Sequence, residues 1–184
     1  MIRLAEGNDM TLPRATALGW TKSSIYEFAG LVSRTLKYEP GGRLTPIVGR
    51  LGGHLIYQNI FEAQHTNDGS IKIEPGGLFE IYLPDYVSVE RNRFTIAHEV
   101  GHYFLHYLLG GKQKEGLVAA RSSERQGDRA EWEANWFSAG FLMPDIEFRT
   151  KSKELNGDVV GLARHFRVSV ESCRIHKRFH ENTP

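Results

Sequence analysis

The sequence has a single cysteine, no long run of apolar residues and almost no excess of charge of one sign. Because Cys173 has no partner within the chain, a framework of internal disulfides is excluded, and the sequence suits a reducing compartment. No segment approaches the roughly 20 apolar residues that a membrane-spanning helix requires. The first residues, MIRLAEGNDMTLPR, also lack the apolar run of a secretory signal. These absences predict a cytoplasmic protein.

Charge and length narrow the expected partners and the expected number of domains. The formal net charge is only +1, which gives no general attraction to nucleic acid or to anionic lipid. A chain of 184 residues with 40% hydrophobic content can bury one core. We therefore predict a single domain over residues 1–184, with an arm at 1–22 and a C-terminal helix pair at 158–180.

Apolar spacing and turn residues predict a mixed α+β fold. A capping box of Ser24 and Glu27 precedes helical spacing that lasts until Pro40. Short strands are then expected at 54–58, 70–73 and 78–83, separated by turns at 67–69 and 75–77. The polar stretch 112–127 is expected to be a loop.

A helix from Asn92, which suits an N-cap, to Gly110 contains the pattern His98-Glu99-Val100-Gly101-His102. Residues four apart share one helix face, so both imidazoles can bind one ion. Zinc takes nitrogen ligands at about 2.0–2.1 Å, and catalytic zinc has three protein ligands and an open position for water. The pattern therefore predicts His98 and His102 as zinc ligands and Glu99 as the catalytic base.

The alternative is that the two histidines are solvated residues on a helix face. Gly101 argues against it, because a glycine within a helix costs about 1 kcal/mol relative to alanine. Its presence between the two histidines indicates that another part of the chain packs closely there.

A third ligand is expected from the segment EWEANWFSAGFLMP, a helix with Asp128 as N-cap and Pro144 beyond its end. Its two candidates are Glu131 and Glu133. On a helical wheel Glu131 lies roughly 70° from the centre of the apolar face and Glu133 about 90° on the other side. This favours Glu131 by a narrow margin. The alternative for Glu131 is a capping box with Asp128 and no metal.

Three segments in order, RNRFTIAHEVGHYFLH, EWEANWFSAGFLMP and LARHFRVSVES, resemble the ImmA/IrrE metallo-endopeptidases. In that family the first glutamate of an E-x-x-A-N segment binds zinc. The corresponding residues here are Glu131, Ala134 and Asn135, so the resemblance implies Glu131 rather than Glu133 as the ligand. It also implies a zincin-like fold with a thermolysin-type minimal core, in which a small mixed sheet packs on helices and the H-E-x-x-H helix is central.

The resemblance further implies a zinc-dependent endopeptidase. Its protein substrate would be a helix-turn-helix repressor of the XRE type, from a mobile element, prophage, defence or stress-response system. Glu99 would take a proton from water at the metal and pass it to the leaving nitrogen. The alternative is a non-catalytic protein that uses the same scaffold to sequester a regulator.

Other features are given no role in the site. The segment VVGLARHFRVSVESCRIHKRF resembles a helix-turn-helix, but a helix pair packed on the domain explains it more simply, so direct DNA binding is not expected. Cys173 is more simply a small hydrophobic residue than a regulatory thiol. The strand at 78–83 occupies the place where zincins expose a sheet edge that can pair with an extended substrate, although an ordinary core strand would have the same sequence pattern. Four residues could donate to an oxyanion but are better explained by packing or surface exposure: Tyr103, His106, Tyr107 and His165.

Overall fold

The structure is a computed structural model that describes residues 12–59, 70–120 and 128–181. Within these ranges it contains seven α-helices, one π-helical segment and four strands, which confirms the predicted mixed α+β class. The strands are β1 (Gly53–Gln58), β2 (Ser70–Ile73), β3 (Phe79–Pro84) and β4 (Leu117–Ala120). The helices are α1 (Lys22–Thr35), α2 (Thr45–Arg50), α3 (Val89–Gly101), the π-helical segment π1 (His102–Leu109), α4 (Arg129–Leu142), α5 (Asp145–Glu154), α6 (Val159–Phe166) and α7 (Val170–Glu181). No helix of the described ranges is both long enough and apolar enough to cross a bilayer.

The sheet has the strand order β1-β3-β2-β4. Strands β2 and β3 form an antiparallel hairpin whose turn contains Gly76 and Gly77 at φ values of 92° and 96°, which favour glycine. Strand β1 runs parallel to β3 along its whole length. The strand at 78–83 is therefore not a sheet edge, because β1 and β2 cover it on both sides.

The sheet ends at β4, in the stretch predicted to be a loop. Strand β4 pairs antiparallel with β2, while its outer side contacts the N-terminal arm. The Val118 amide donates to the Pro13 carbonyl at 2.9 Å, and Arg14 forms a parallel bridge with Val118. Part of the β4 edge is thus covered by the chain itself. Residues 1–11 of the predicted arm, the predicted turn at 67–69 and the rest of the predicted loop, 121–127, lie outside the described residues.

The starts of two helices differ by a few residues from the sequence prediction. Helix α1 follows Thr21, whose Oγ1 accepts the Ser24 amide at 3.1 Å, so Ser24 is not itself the cap. Helix α3 follows Ser88 rather than Asn92, and the Asn92 side chain donates to the Pro84 carbonyl at 2.9 Å. Each cap satisfies an amide that the first helical turn leaves without a partner.

Helix α4 packs between α1 and α3, and glycines allow both contacts to be close. A Cβ added at Gly101 of α3 would lie 3.1 Å from Phe137 Cδ1 and 3.3 Å from the Ala134 Cα. A Cβ added at Gly140 of α4 would lie 3.0 Å from the Tyr26 carbonyl oxygen of α1. Gly101, within the H-E-x-x-H pattern, predicted that another part of the chain packs closely there. That part is helix α4.

Replacement of Gly101 by alanine tests this contact. Gly101→Ala should lower the free energy of unfolding by about 1 kcal/mol, because overpacking a core costs about 1–3 kcal/mol and the better helix propensity of alanine returns about 1 kcal/mol. Gly49→Ala is the matched control, since a Cβ at this helical glycine meets nothing within 4 Å. The control should keep or raise stability in urea unfolding. Equal gains from both substitutions would contradict the close approach of α3 and α4.

The C-terminal helices α6 and α7 are joined by a turn at Arg167, where φ is 52°. Their inner faces contribute Leu162, Phe166 and Cys173 to the core, each with 0% exposure. Burial raises the pKa of the Cys173 thiol to about 11. A buried thiol that stays protonated at neutral pH behaves as a small hydrophobic group rather than as a reactive one.

A buried histidine anchors α7 to the rest of the helices. The His176 ring lies 4.5 Å from the Phe148 ring and 5.3 Å from the Tyr26 ring, and its Nε2 lies 2.9 Å from Nε2 of His180. The His180 Nδ1 lies 2.9 Å from Asp145 Oδ1. Burial lowers the pKa of His176 well below its usual 6.5, and the nearby charges of His180 and Lys22 act in the same direction. The folded protein therefore holds His176 neutral.

This predicts a loss of stability under mildly acidic conditions. Below pH about 6.5 this histidine is protonated in the unfolded chain but not in the folded protein. The unfolded state then binds more protons, so the free energy of unfolding decreases as the pH is lowered. His176→Phe keeps an aromatic ring between Phe148 and Tyr26 but cannot titrate. When the pH is lowered from 7.5 to 5.5, the free energy of unfolding of this variant, measured in urea, should therefore decrease by about 1 kcal/mol less than that of wild type. His54→Gln, at an exposed position of β1, should follow the wild-type curve, and parallel curves for all three proteins would refute the prediction.

Candidate metal centre

Three titratable side chains come together where α3 passes into π1. His98 and Glu99 belong to the last turn of α3, and His102 is the first residue of π1. All three are buried, and their possible ligand atoms lie within 4.8 Å of one another. Titratable groups are rarely buried together unless they are paired or bind a metal ion.

The two imidazoles face each other through Nε2, at 3.0 Å. On the far side of its ring, His98 Nδ1 lies 3.0 Å from Asn135 Oδ1 of α4. Because an amide oxygen only accepts hydrogen bonds, Nδ1 of His98 is the protonated nitrogen. Its Nε2 therefore carries the lone pair and points it toward His102.

Glu131 of α4 approaches the same point from a second helix. Its carboxylate oxygens lie 3.2 Å from His98 Nε2 and 3.4 Å from His102 Nε2. Burial by itself would raise the pKa of Glu131, but the contacts of its carboxylate with His102 and His98 outweigh burial and hold the pKa far below its usual range. The carboxylate is thus ionised at neutral pH and faces the histidines rather than capping its own helix.

Glu133, the other candidate for a third ligand, lies elsewhere. It is 0% exposed, and its Oε2 lies 3.1 Å from Nε2 of His106 rather than beside the His98 and His102 pair. Its carboxylate also accepts the amides of Leu18 and Gly19, at 2.8 and 2.7 Å. Burial opposes ionisation, yet these hydrogen bonds lower the pKa of Glu133 to about 2. The helical wheel placed Glu133 farther from the buried face because it could not include the arm and π1, which bury this side chain.

The sequence argument gave His106 no role, yet it lies directly behind the histidine pair. Its Nδ1 is 2.9 Å from Nδ1 of His102, and its ring is buried. The available signal was a second spacing of four, from His102 to His106. Of the other aromatic candidates, Tyr107 donates to the Gln113 carbonyl at 3.4 Å, and His165 packs against Phe166 on an exposed face of α6.

The donor set fits a divalent metal ion. Two imidazole nitrogens and a carboxylate oxygen are ligand types that zinc binds. Ligands at about 2.0–2.1 Å from a tetrahedral zinc are about 3.3 Å from each other. The three separations between His98, His102 and Glu131 are 3.0, 3.2 and 3.4 Å. The residues therefore have both the chemistry and the spacing to hold such an ion.

Comparisons with known proteins concern the fold and the family of the chain. A solved structure of a Mycobacterium tuberculosis transcriptional regulator superposes with a TM-score of 0.62 at 18% identity, over 88% of this chain and 48% of that chain. At this identity the likeness concerns the fold, and this chain spans about half the length of that protein. No curated protein matches the sequence. The model of a peptidase family, described as the IrrE N-terminal-like domain, matches residues 61–176, which is more than half of the chain. The chain therefore belongs to the family of IrrE N-terminal-like domains.

Proposed function

We propose that the protein is a zinc-dependent endopeptidase, with His98, His102 and Glu131 as metal ligands and Glu99 as the catalytic base. The observation that carries the proposal is the convergence of two buried Nε2 atoms with an ionised carboxylate from a second helix. Membership in a peptidase family supports it. A bound zinc ion would lower the pKa of water to about 7 and polarise the scissile carbonyl.

Glu99 carries the proton transfer in this proposal. Its carboxylate is 1% exposed and belongs to the same buried group as the two histidines. It would accept a proton from water as the new carbon–oxygen bond forms, and then donate that proton to the amide nitrogen as the peptide bond breaks. Asn135 keeps the His98 ring in the tautomer that a ligand needs.

We propose that the substrate is a helix-turn-helix repressor of the XRE type, cleaved at one site in the cytoplasm. The support is indirect: the similar solved structure is a transcriptional regulator, and the family is described by its IrrE-like domain. Cleavage of a single regulator also agrees with a metal group that is almost fully buried in the described part of the chain. A site of this kind is more accessible to one fitted segment than to any unfolded chain.

Substitution of the base tests the catalytic proposal. Glu99→Gln keeps the size of the side chain but cannot accept the proton, so cleavage of the XRE-type repressor proposed as substrate should fall by at least about 100-fold. Zinc binding should stay within a few-fold of wild type. Glu90→Gln makes the same change in the first turn of the same helix and should cleave normally.

Electrophoresis of the repressor after incubation with each zinc-loaded variant gives the result. If Glu99→Gln and wild type relieve repression equally in cells and leave the repressor intact, the protein is not a peptidase but a protein that sequesters its partner. That outcome would support the non-catalytic alternative.

Removal of the third ligand tests the metal site separately. Glu131→Gln replaces the ionised carboxylate by a neutral amide, which should weaken zinc binding by more than about 100-fold, since even groups that only support ligands contribute about 10–100-fold. Competition with a chromophoric chelator measures the affinity. Glu27→Gln, an exposed position on α1, is the control. Equal zinc affinity for Glu131→Gln and the control would remove Glu131 from the site.

A further inference from the structure

A second buried carboxylate lies behind the metal site and is held by four groups. Glu133 accepts the backbone amides of Leu18 and Gly19, contacts His106 Nε2 at 3.1 Å, and contacts Arg129 Nε at 3.3 Å. Two backbone amides and a guanidinium donate to its oxygens, so the carboxylate acts as an acceptor. The atom that faces it on His106 must therefore be a donor.

The direction of the next hydrogen bond follows from this. A His102 ring that binds a metal ion through Nε2 carries its proton on Nδ1, so Nδ1 of His106 must accept this hydrogen bond and carries the lone pair. That lone pair lies 2.9 Å from Nδ1 of His102, so Nδ1 of His102 is the donor. The proton on Nδ1 leaves the lone pair of His102 on Nε2, the atom that faces His98 Nε2 and Glu131. Through His106, the Glu133 carboxylate thus determines the tautomer of His102, a proposed metal ligand.

The rings of His102 and His106 lie side by side on one face of π1, with ring centroids 4.9 Å apart. The rings of His98 and His102, also four residues apart, have nearly the same separation, 4.8 Å.

We propose that His106 and Glu133 are positioning residues that fix the tautomer and the ring orientation of His102, and that the arm holds this chain through the Leu18 and Gly19 amides. Supporting groups of this kind, a carboxylate behind a ligating histidine, raise metal affinity. Here the support passes through an intermediate imidazole, whereas His98 is supported directly by Asn135. The inference rests on the proposed metal site, but it concerns metal binding and not peptide cleavage.

The first test observes the tautomers directly. The ¹⁵N shifts of imidazole nitrogens distinguish the two neutral tautomers, and in the zinc-loaded protein at neutral pH they should give His102 with its proton on Nδ1 and His106 with its proton on Nε2. Signals are assigned by their loss in His102→Gln and His106→Phe. A proton on Nε2 of His102, or a doubly protonated His106, would overturn the proposal.

The second test measures zinc affinity by chelator competition in variants of the chain. Glu133→Gln and His106→Phe should each weaken binding by about 10–100-fold. The double variant should be no weaker than His106→Phe alone, because both substitutions break one chain. Tyr107→Phe removes a hydroxyl from the same π1 segment that donates to the Gln113 carbonyl, and this variant should bind zinc as wild type does.

A loss of stability could also weaken binding, so a destabilised control is needed. Leu105→Val removes a methylene from a fully buried position of π1 and should cost about 1 kcal/mol without touching the histidines. If it weakens zinc binding as much as Glu133→Gln does, the effect is a loss of folding and the positioning role fails. If Glu131→Gln weakens binding while Glu133→Gln and His106→Phe do not, the metal site stands and only the positioning role is refuted. If Glu131→Gln also has no effect, the proposed metal site itself fails.

Discussion

Three carboxylates, those of Glu99, Glu131 and Glu133, lie within a small and largely buried region. Their negative charge determines which groups must surround them. An isolated buried carboxylate costs several kcal/mol, so each one needs a specific environment. Glu133 is stabilised by two backbone amides, an imidazole and Arg129, whereas Glu131 faces the Nε2 atoms of the two imidazoles of the proposed metal site. A divalent ion between His98, His102 and Glu131 would supply the positive charge that this arrangement of acceptors favours.

The same region depends on how closely three helices approach one another. Helix α4 carries Glu131, Glu133 and Asn135, and it lies between α1 and α3 because Gly140 and Gly101 have no side chain. A wider separation would move Glu131 away from the histidine pair and Asn135 away from His98. The packing of the core and the chemistry of the site are therefore set by the same contacts, so substitutions at these glycines should affect both.

Sequence reasoning found the parts of the site that local spacing determines. The pattern from His98 to His102 defined one helix face, and the family resemblance selected Glu131. It misjudged Glu133, because a helical wheel includes only one helix and Glu133 is buried by the arm and π1. It missed β4, whose four residues lie in a polar stretch and gain their order from pairing with β2. It also left open whether the strand at 78–83 is a sheet edge, because sequence alone does not reveal which strands flank it.

The contacts of α1 and the arm bear on where this family's domain can be cut. The segment that the family model matches begins at residue 61, yet Ile25 and Ala29 of α1 are 0% exposed, and α1 packs on α4. A recombinant fragment that starts at the beginning of the match would expose the apolar side of α4 and strip Glu133 of two amide donors. The folded unit of this chain therefore includes contacts outside the segment that similarity delineates, and a recombinant fragment should keep the arm and α1.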